Sequence, residues 1–350
     1  MRRSFAQVDV FTAVPYRGNP LAVVGDATGL TTEEMQRVAA WMNLSETTFL
    51  LEPCSENSAT ADYRVRIFTP DRELPFAGHP TLGSCAVWLE QGGVPRTPGV
   101  IVQECGAGLV QIRSSHNSGS SAGNNPGTSP DSPGNNPGNN PRNSPENSPG
   151  SSSGSSSDSS PGNSLDSSRL AFAAPPLVRS GPVSADDLAA ACALLRIDPN
   201  TQVVNANWVD NGPPWLGLLL RSAEDVLNLR PEAANPHDLF VGAVGPYPPG
   251  SAADSADPAA DPANPADSPD FEVRAFFPVR GALAEDPVTG SLNASLGQWL
   301  TAAGHATAPY VASQGAALGR DGRVYIDRDP DGTIWVGGAV VTCIQGTVEI

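Results

Sequence analysis

Two stretches of the chain share one pattern: residues 63–84 read YRVRIFTPDRELPFAGHPTLGS, and residues 271–291 read FEVRAFFPVRGALAEDPVTGS. Four aligned positions at one constant spacing are identical, namely Val65/Val273, Arg66/Arg274, Phe68/Phe276 and Pro70/Pro278. Identities at a fixed spacing are typical of an internal duplication. The sequence therefore predicts two similar halves.

A second match follows at the end of both stretches. The motif HPTLGS aligns with DPVTGS, which pairs Gly83 with Gly290 and Ser84 with Ser291. Each motif runs into an apolar segment that contains Trp-Leu, and Pro is favoured in the first turn of a helix. We predict one helix beginning at each motif. A pseudo-two-fold axis between the halves would place the two helix starts face to face across a cleft.

The remaining pattern predicts many strands and few helices. Helices are expected after a capping box at residues 31–34, from Pro80, after Ser184, and from about Thr289 to Ala303. Alternating or β-branched runs predict strands near residues 5–10, 20–24, 47–52, 63–68, 99–104, 108–113, 201–204, 215–220, 239–244, 271–277, 322–327 and 333–349. This composition of elements indicates an α+β fold with mostly antiparallel pairing.

Low-complexity segments divide the chain. Residues 114–168 are rich in Ser, Asn, Pro and Gly, and Ala122 and Leu165 are their only apolar side chains. Such a segment cannot bury enough apolar surface to offset the entropy of ordering it, so we expect disorder. It separates a predicted N-terminal domain, residues 1–113, from a C-terminal domain, residues 169–350. A Pro/Ala/Asp-rich loop is predicted at residues 245–270.

Charge and composition exclude several classes of partner. The formal net charge is −17, and binding to nucleic acid would need clustered cations. No apolar run approaches the roughly 20 residues of a membrane-spanning helix, and the N-terminus, MRRSFAQVDVF, lacks the apolar core of a signal peptide. The five Cys form no CxxC motif and are interpreted as reduced thiols. We expect a cytoplasmic protein that binds neither nucleic acid nor membrane.

The absence of Lys excludes whole classes of mechanism. All 20 basic residues are Arg. This excludes a Schiff base between a Lys and a substrate or pyridoxal phosphate, and it excludes a P-loop, which needs a Lys. The four His never pair at metal-ligand spacing, so no zinc site is expected. Gly106-Ala107-Gly108 is interpreted as a hairpin turn, because no helix follows it. The sequence thus predicts chemistry without a cofactor or metal.

The paired helix starts suggest a binding site for an anion. A helix N-terminus presents free backbone N–H groups and the positive end of a dipole, and two of them facing one cleft would hold a carboxylate without any Lys. Gly83 and Gly290 would let a ligand approach the backbone closely. Ser84 and Ser291 could add hydroxyl donors.

Three titratable residues are candidates for catalysis, each with a structural alternative. Asp286 precedes Pro and could equally be an N-cap of the second helix. His79 could be a structural residue, although its placement in the duplicated loop favours a function. Glu46 precedes the apolar run of residues 47–51. A partly desolvated carboxylate there would have a pKa suited to proton transfer, whereas the alternative is a solvated loop glutamate.

Taken together, the motifs resemble the PhzF-like family of phenazine biosynthesis, which shares the diaminopimelate-epimerase fold. The motifs that carry the resemblance are DVFTAVPYRGNPLAVV (9–24), NLSETTF (43–49), RIFTPDRELPFAGHPTLGS (66–84), EDPVTGS (285–291) and QGAALGRDGRVYI (314–326). The resemblance implies two pseudo-symmetric epimerase-like domains, each a curved, mostly antiparallel sheet around a central helix. It also implies an active site between the domains, and PhzF itself isomerises a dihydro-hydroxyanthranilate by moving a proton, without cofactor or metal.

The same resemblance assigns roles to individual residues. Glu46 corresponds to the family's acid/base glutamate, and His79 and Asp286 correspond to its other catalytic side chains. Gly78 and Gly290 would supply backbone donors to the substrate, together with Ser291. We therefore expect a small anionic metabolite as the partner, and a homodimer is compatible with the family.

Two alternatives to a PhzF-like isomerase stay open at this point. One is an amino-acid racemase or epimerase that uses bases other than thiols, since neither helix start offers a Cys where the epimerase relatives have one. The other is a non-catalytic protein that binds small acids on the same scaffold. The long Ser/Asn/Pro-rich segment between the domains is not a family feature.

The expected disorder of that segment can be tested by removing it. Replacement of residues 116–166 by a Gly/Ser linker of about eight to ten residues should preserve both fold and activity, because almost no apolar contact is lost. Thermal midpoint and turnover of the shortened protein are the measurements. A fall of many degrees in the midpoint would show that the segment packs on the domains.

Overall fold

The alternating pattern of the sequence folds into a single hydrogen-bonded sheet. The structure, a computed structural model, describes residues 1–114, 169–249 and 268–350. All 18 strands of these ranges belong to one sheet. The predicted disordered segment lies outside the described residues from position 115 on, and so does most of the predicted loop at 245–270.

The first half begins and ends with strands. Its elements are β1 (Arg2–Val10), β2 (Asn19–Val24), α1 (Thr32–Met42), β3 (Thr47–Leu51), β4 (Tyr63–Phe68), β5 (Glu73–Leu74), α2 (Gly78–Glu90), β6 (Val100–Cys105), β7 (Gly108–Ser114) and β8 (Leu170–Ala173).

The second half repeats this order with added elements at its ends. They are β9 (Arg179–Pro182), α3 (Ala185–Leu195), β10 (Val203–Asp210), β11 (Trp215–Leu220), α4 (Ala223–Leu227), β12 (Phe240–Pro246), β13 (Phe271–Val279), β14 (Ala282–Asp286), α5 (Gly290–Ala302), β15 (Tyr310–Gln314), β16 (Gly322–Arg328), β17 (Ile334–Gly338) and β18 (Val340–Glu349), with a 3₁₀ turn at Ala316–Leu318.

The two halves share one strand order and join side by side. The first runs β18-β1-β2-β3-β4-β6-β7-β8, and the second continues through β17-β16-β15-β13-β12-β11-β10-β9. Each half has two parallel pairings at equivalent places. They are β2/β3 and β4/β6 in the first half, and β11/β12 and β13/β15 in the second. The others are antiparallel, so the predicted α+β class is confirmed.

The duplication extends to one ion pair in each half. Arg66 donates two hydrogen bonds to Glu73, at 2.7 and 2.6 Å, and Arg274 does the same to Glu285, at 2.8 and 2.7 Å. Each glutamate lies opposite a buried phenylalanine, Phe68 in one hairpin and Phe276 in the other. A bidentate pair has demanding geometry, so its repetition supports the internal duplication.

The predicted alignment of the two helix motifs is wrong. The first helix begins at Gly78, two residues before Pro80, and the second begins at Gly290. Since Glu73 and Glu285 are equivalent, Gly78 is the counterpart of Gly290, and Gly83 is not. The Pro-x-x-Gly-Ser match is coincidental, because it lies within the helix in the first half and spans the helix start in the second.

The two central helices lie inside the sheet and meet end to end. Strands β1, β2, β3, β4, β6 and β8 contact α2, and β10, β16 and β17 contact α5. A methyl group at Gly78 would lie 2.8 Å from Cα of Gly290, and one at Gly290 would lie 2.9 Å from Cα of Gly78. Only residues without a side chain permit this approach. The helix starts therefore face each other, as predicted.

Side-chain caps explain where the outer helices α1, α3 and α4 begin. Thr31 and Glu34 form the predicted capping box of α1, and Ser184 caps α3. The helix α4, capped by Ser222, was not predicted because it has only five residues. None of the helices in the described ranges is long and apolar enough to cross a membrane.

Several strands of the structure were not predicted from the sequence, and one predicted strand is two strands in the structure. Strands β5, β8, β9, β14 and β15 were not predicted, since they are short or lack alternation. The predicted run 333–349 is two strands, because the carbonyl of Ala339 accepts hydrogen bonds from the N–H groups of Phe11 and Thr12. The last strand, β18, then pairs with β1, so the end of the predicted C-terminal domain extends the sheet of the first half.

The two predicted domains belong to one compact unit. Strand β8 pairs with β7 on one side and with β17 on the other, so the sheet continues from one half into the next. Ser114, the first residue of the predicted disordered segment, is instead the last residue of β7 and pairs with Leu170. The described residues Ser114 and Leu170 are therefore neighbours, which a short linker can join.

The contact between the helix starts can be tested with glycine substitutions. Gly290→Ala forces a methyl group against the backbone of Gly78 and should cost about 1–3 kcal/mol of stability, measured by thermal or urea unfolding. Gly346→Ala is the matched control, since nothing lies within 4 Å of a methyl group there. Equal effects of the two substitutions would contradict the contact.

Candidate active site

The three predicted titratable residues converge at the meeting point of the central helices. Glu46 immediately precedes β3, His79 is the second residue of α2, and Asp286 is the last residue of β14. Glu46 Oε2 lies 3.3 Å from His79 Nε2, and Asn19 bridges His79 to Asp286. The three sequence motifs that contain them therefore form one site.

Glu46 and His79 are both withdrawn from water. Their side chains are 15% and 5% exposed, and the two facing atoms have no hydrogen-bond partner among the described residues. Burial, with a smaller contribution from the charge of Asp286, raises the pKa of Glu46 to about 8. Burial lowers the pKa of His79 to about 3. The interpretation of Glu46 as a solvated loop residue is wrong.

Asp286 has a different environment from Glu46. Its Oδ2 accepts a hydrogen bond from Thr289 Oγ1 at 2.6 Å, and its Oδ1 accepts one from Asn19 Nδ2 at 3.1 Å. Burial raises the pKa of Asp286 to about 6, and these two hydrogen bonds oppose the rise. The alternative role as an N-cap is wrong, because the N-cap of α5 is Thr289.

These environments assign charges at neutral pH. With a pKa of about 8, Glu46 is mostly a neutral acid, and His79 is a neutral imidazole. Asp286 is mostly ionised. A carboxyl group whose pKa lies near the working pH can both take up and release a proton. Two carboxyl groups with separated pKa values are a common arrangement for acid/base chemistry.

Two amide side chains of the site were not predicted. Asn19, the first residue of β2, is fully buried. Gln314 is also fully buried; its Nε2 donates to the carbonyl of Asp286 and to Thr289 Oγ1, and its Oε1 accepts from the N–H of Thr289. Both belong to motifs quoted for the family resemblance, which is the one signal that marked them.

The ends of the central helices differ from those of the other helices. Side chains of Thr31, Ser184 and Ser222 cap α1, α3 and α4. No side chain caps α2 or α5, which begin at Gly78 and Gly290. Two uncapped N-termini directed at one place favour the binding of an anionic group.

The predicted glycine and serine donors divide into two groups. Gly78 and Gly290 lie at the meeting point, and Ser291 follows in the first turn of α5, where its hydroxyl accepts from Trp215 Nε1 at 3.2 Å. Ser84 lies deeper in α2 and donates to Thr48 Oγ1.

The predicted role of Gly83 as a place of ligand approach is wrong. A methyl group there would meet Leu21 and Val8 of the sheet, so Gly83 serves the packing of α2.

The thiols lie outside this constellation. Cys85 and Cys105 are buried, and burial raises the pKa of Cys85 to about 12, so its reactive thiolate is scarce at neutral pH. Within residues 1–114, 169–249 and 268–350, no three His, Cys, Asp or Glu side chains group closely enough to hold a metal ion.

Comparison with known proteins identifies relatives of the whole chain. Residues 8–156 and 159–346 match the family described as phenazine biosynthesis-like protein. Antisense-enhancing sequence 1 of Schizosaccharomyces pombe is 30% identical over 356 residues, which cover 98% of this chain and 97% of that protein. The trans-2,3-dihydro-3-hydroxyanthranilate isomerase of Pseudomonas aeruginosa is 51% identical over 80 residues, 23% of this chain and 27% of that enzyme.

A solved structure confirms the fold. The phenazine biosynthesis protein of the PhzF family from Bacillus anthracis superimposes with a TM-score of 0.68 over 100% of both chains, at 19% identity. The prediction of an isomerase agrees with the names of several relatives. The chain belongs to the phenazine biosynthesis-like family, and it is an isomerase of that family.

Proposed function

We propose that the protein is a cofactor-independent isomerase that moves a proton between two carbon atoms of a small carboxylic acid, with Glu46 as the acid/base group. The observation that carries the proposal is the contact of Glu46 with His79 at 3.3 Å, in a buried position directly beside the paired helix N-termini. A group that must exchange protons at neutral pH gains from a raised pKa.

The substrate is proposed to bind through its carboxylate. The uncapped starts of α2 and α5 offer backbone donors from Gly78, Gly290 and Ser291, and the helix dipoles favour negative charge there. This arrangement needs no Lys, and the chain contains none. A small anionic metabolite is the class of ligand that fits.

In the proposed reaction one C–H bond breaks and another forms. Glu46, in its ionised form, takes a proton from an acidic C–H of the bound acid, and the neutral carboxyl group then returns a proton to a second carbon. The electron pair shifts within the conjugated substrate, so no oxidant or reductant is consumed. Asp286 and His79 orient the substrate and set the proton affinity of Glu46.

The duplication provides an argument against a racemase with two bases. In the first half, Thr47 of β3 pairs with Ala22 of β2 and with Phe68 of β4. In the second half, Val241 of β12 pairs in the same way with Leu216 of β11 and with Phe276 of β13. Glu46 therefore corresponds to Phe240 in the second half. A racemase needs acid/base groups on both faces of one carbon, whereas the position related to Glu46 carries an aromatic ring that packs on Trp215.

Deuterium exchange tests the proposal. The protein is incubated in D₂O with trans-2,3-dihydro-3-hydroxyanthranilate, the compound in the name of the Pseudomonas aeruginosa relative, and with other small unsaturated carboxylic acids. We expect enzyme-dependent entry of deuterium at the carbon that accepts the proton, seen by NMR. Binding of such acids without any C–H exchange would indicate the non-catalytic alternative, and exchange confined to an inverted amino-acid α-carbon would indicate a racemase.

The role of Glu46 predicts a specific mutant phenotype. Glu46→Gln preserves shape but removes the titratable group, so turnover should fall by about 10²- to 10⁴-fold while binding of a substrate-like carboxylate changes little. Steady-state kinetics and calorimetric titration are the measurements. Glu56→Gln, in an exposed loop, is the control and should behave as the wild type. Turnover of Glu46→Gln within a few-fold of the wild type would remove Glu46 from the mechanism.

The raised pKa of Glu46 also predicts a pH dependence of stability. Glu46 holds its proton up to about pH 8 in the folded state but releases it near 4.5, its ordinary value, when unfolded. The free energy of unfolding of the wild type should therefore fall as pH rises between these values. Glu46→Gln has no carboxyl group at this position, so its free energy of unfolding does not fall in this way. Its thermal midpoint should therefore exceed that of the wild type by a margin that grows toward pH 8. A margin that is independent of pH would contradict the prediction.

A further inference from the structure

The carboxamide of Asn19 connects three groups of the active site. Asn19 is fully buried. Its Nδ2 donates to the carbonyl of Val288 at 2.9 Å and to Asp286 Oδ1 at 3.1 Å, and lies 3.3 Å from His79 Nδ1. The side chain comes from β2 in the first half, whereas Asp286 and Val288 precede the start of α5 in the second.

The orientation of this amide follows from its partners. A carbonyl oxygen and a carboxylate oxygen both accept hydrogen bonds, so the atom that faces them must be the NH₂ group. The reverse orientation would place Asn19 Oδ1 against two acceptors in a fully buried position. The NH₂ group therefore also faces His79.

The orientation of Asn19 determines which nitrogen of His79 carries the proton. The NH₂ group has two hydrogens for three neighbouring acceptors and accepts no hydrogen bond itself. A protonated Nδ1 of His79 would therefore face another donor, so Nδ1 must present its lone pair. The proton of the neutral ring then resides on Nε2, which lies 3.3 Å from Glu46 Oε2. The N–H of His79 thus lies on the nitrogen that is next to one oxygen of the acid/base group, at a distance without hydrogen-bond alignment in this structure.

We infer that Asn19 is a positioning residue, which holds His79 in the Nε2–H tautomer so that an N–H, and not a lone pair, lies next to Glu46 Oε2 and Oε1 exchanges the proton with the substrate. The inference rests on the proposed function for its catalytic consequence. The tautomer itself follows from the geometry of Asn19, His79 and Asp286 alone.

The duplicated half supports a functional rather than a structural reason for Asn19. Ala22 and Leu216 hold equivalent register positions in β2 and β11, opposite Thr47 and Val241. Counting back along both strands, Asn19-Pro20 corresponds to Pro213-Pro214. At this position the second half therefore carries a proline, whose side chain has no donor, and the half that contains His79 carries a buried carboxamide.

The test measures the tautomer directly. The full-length protein is labelled with ¹⁵N-histidine, and the ring-nitrogen shifts of its four His are recorded at neutral pH; loss of one pair of signals in His79→Asn identifies His79. In the wild type we expect an unprotonated Nδ1 that accepts a hydrogen bond and a protonated Nε2. In Asn19→Ala the two shifts should move toward each other, as the Nδ1–H tautomer becomes populated.

A second Asn–His pair serves as the control. Asn205 Nδ2 lies 3.1 Å from His305 Nε2 in an exposed contact. Asn205→Ala should leave the His79 shifts and turnover unchanged. Asn19→Ala should lower kcat by on the order of 10- to 100-fold, with a smaller change in KM, whereas a purely structural residue would lower stability without changing the tautomer.

The outcomes separate this inference from the proposed function. A protonated Nδ1 in the wild type would overturn the inference, and this measurement does not depend on Asn19→Ala, should that variant fail to fold. His79 shifts and kcat that are unchanged in a folded Asn19→Ala protein would also overturn it. The expected tautomer change, in a wild type that catalyses no C–H exchange, would support the assignment of Asn19 to His79 and overturn the proposed function instead.

Discussion

The structure depends on the contact between two glycines at the starts of two buried helices. Gly78 and Gly290 approach so closely that neither position has room for a methyl group. This contact brings together the N-termini of α2 and α5, which lie in different halves of the chain. Because each helix packs against strands of its own half of the sheet, the approach fixes how the two halves pack. The candidate active site is a direct consequence of it.

Burial at this meeting point determines the chemistry of the side chains. Glu46 and Asp286 are both carboxyl groups in low-dielectric surroundings, but Asp286 accepts hydrogen bonds from Thr289 and Asn19. Glu46 faces a neutral imidazole. The hydrogen bonds stabilise the charge of Asp286, and that charge raises the pKa of Glu46 further. One carboxyl group thus remains an anion at neutral pH while the other holds a proton.

Much of this arrangement could be predicted from the sequence, because the duplication leaves identical residues in equivalent strands. Arg66 and Arg274 marked the two copies correctly, and the apolar segments after them marked the buried helices. The alignment of Ser84 with Ser291 failed, since a short motif of common residues can match by chance when a hairpin differs in length. Asn19 and Gln314 could not be assigned roles, because their partners lie far away along the chain and only the fold brings them together.

The central claim is that the buried site keeps Glu46 protonated at neutral pH. Infrared difference spectra of the wild type against Glu46→Gln measure this directly through the C=O band of a protonated carboxyl group. The account predicts a band that is present in the wild type at pH 7, disappears with a midpoint near pH 8 and is absent from the variant. A band that is already lost near pH 4.5, the ordinary value for glutamic acid, would contradict the account.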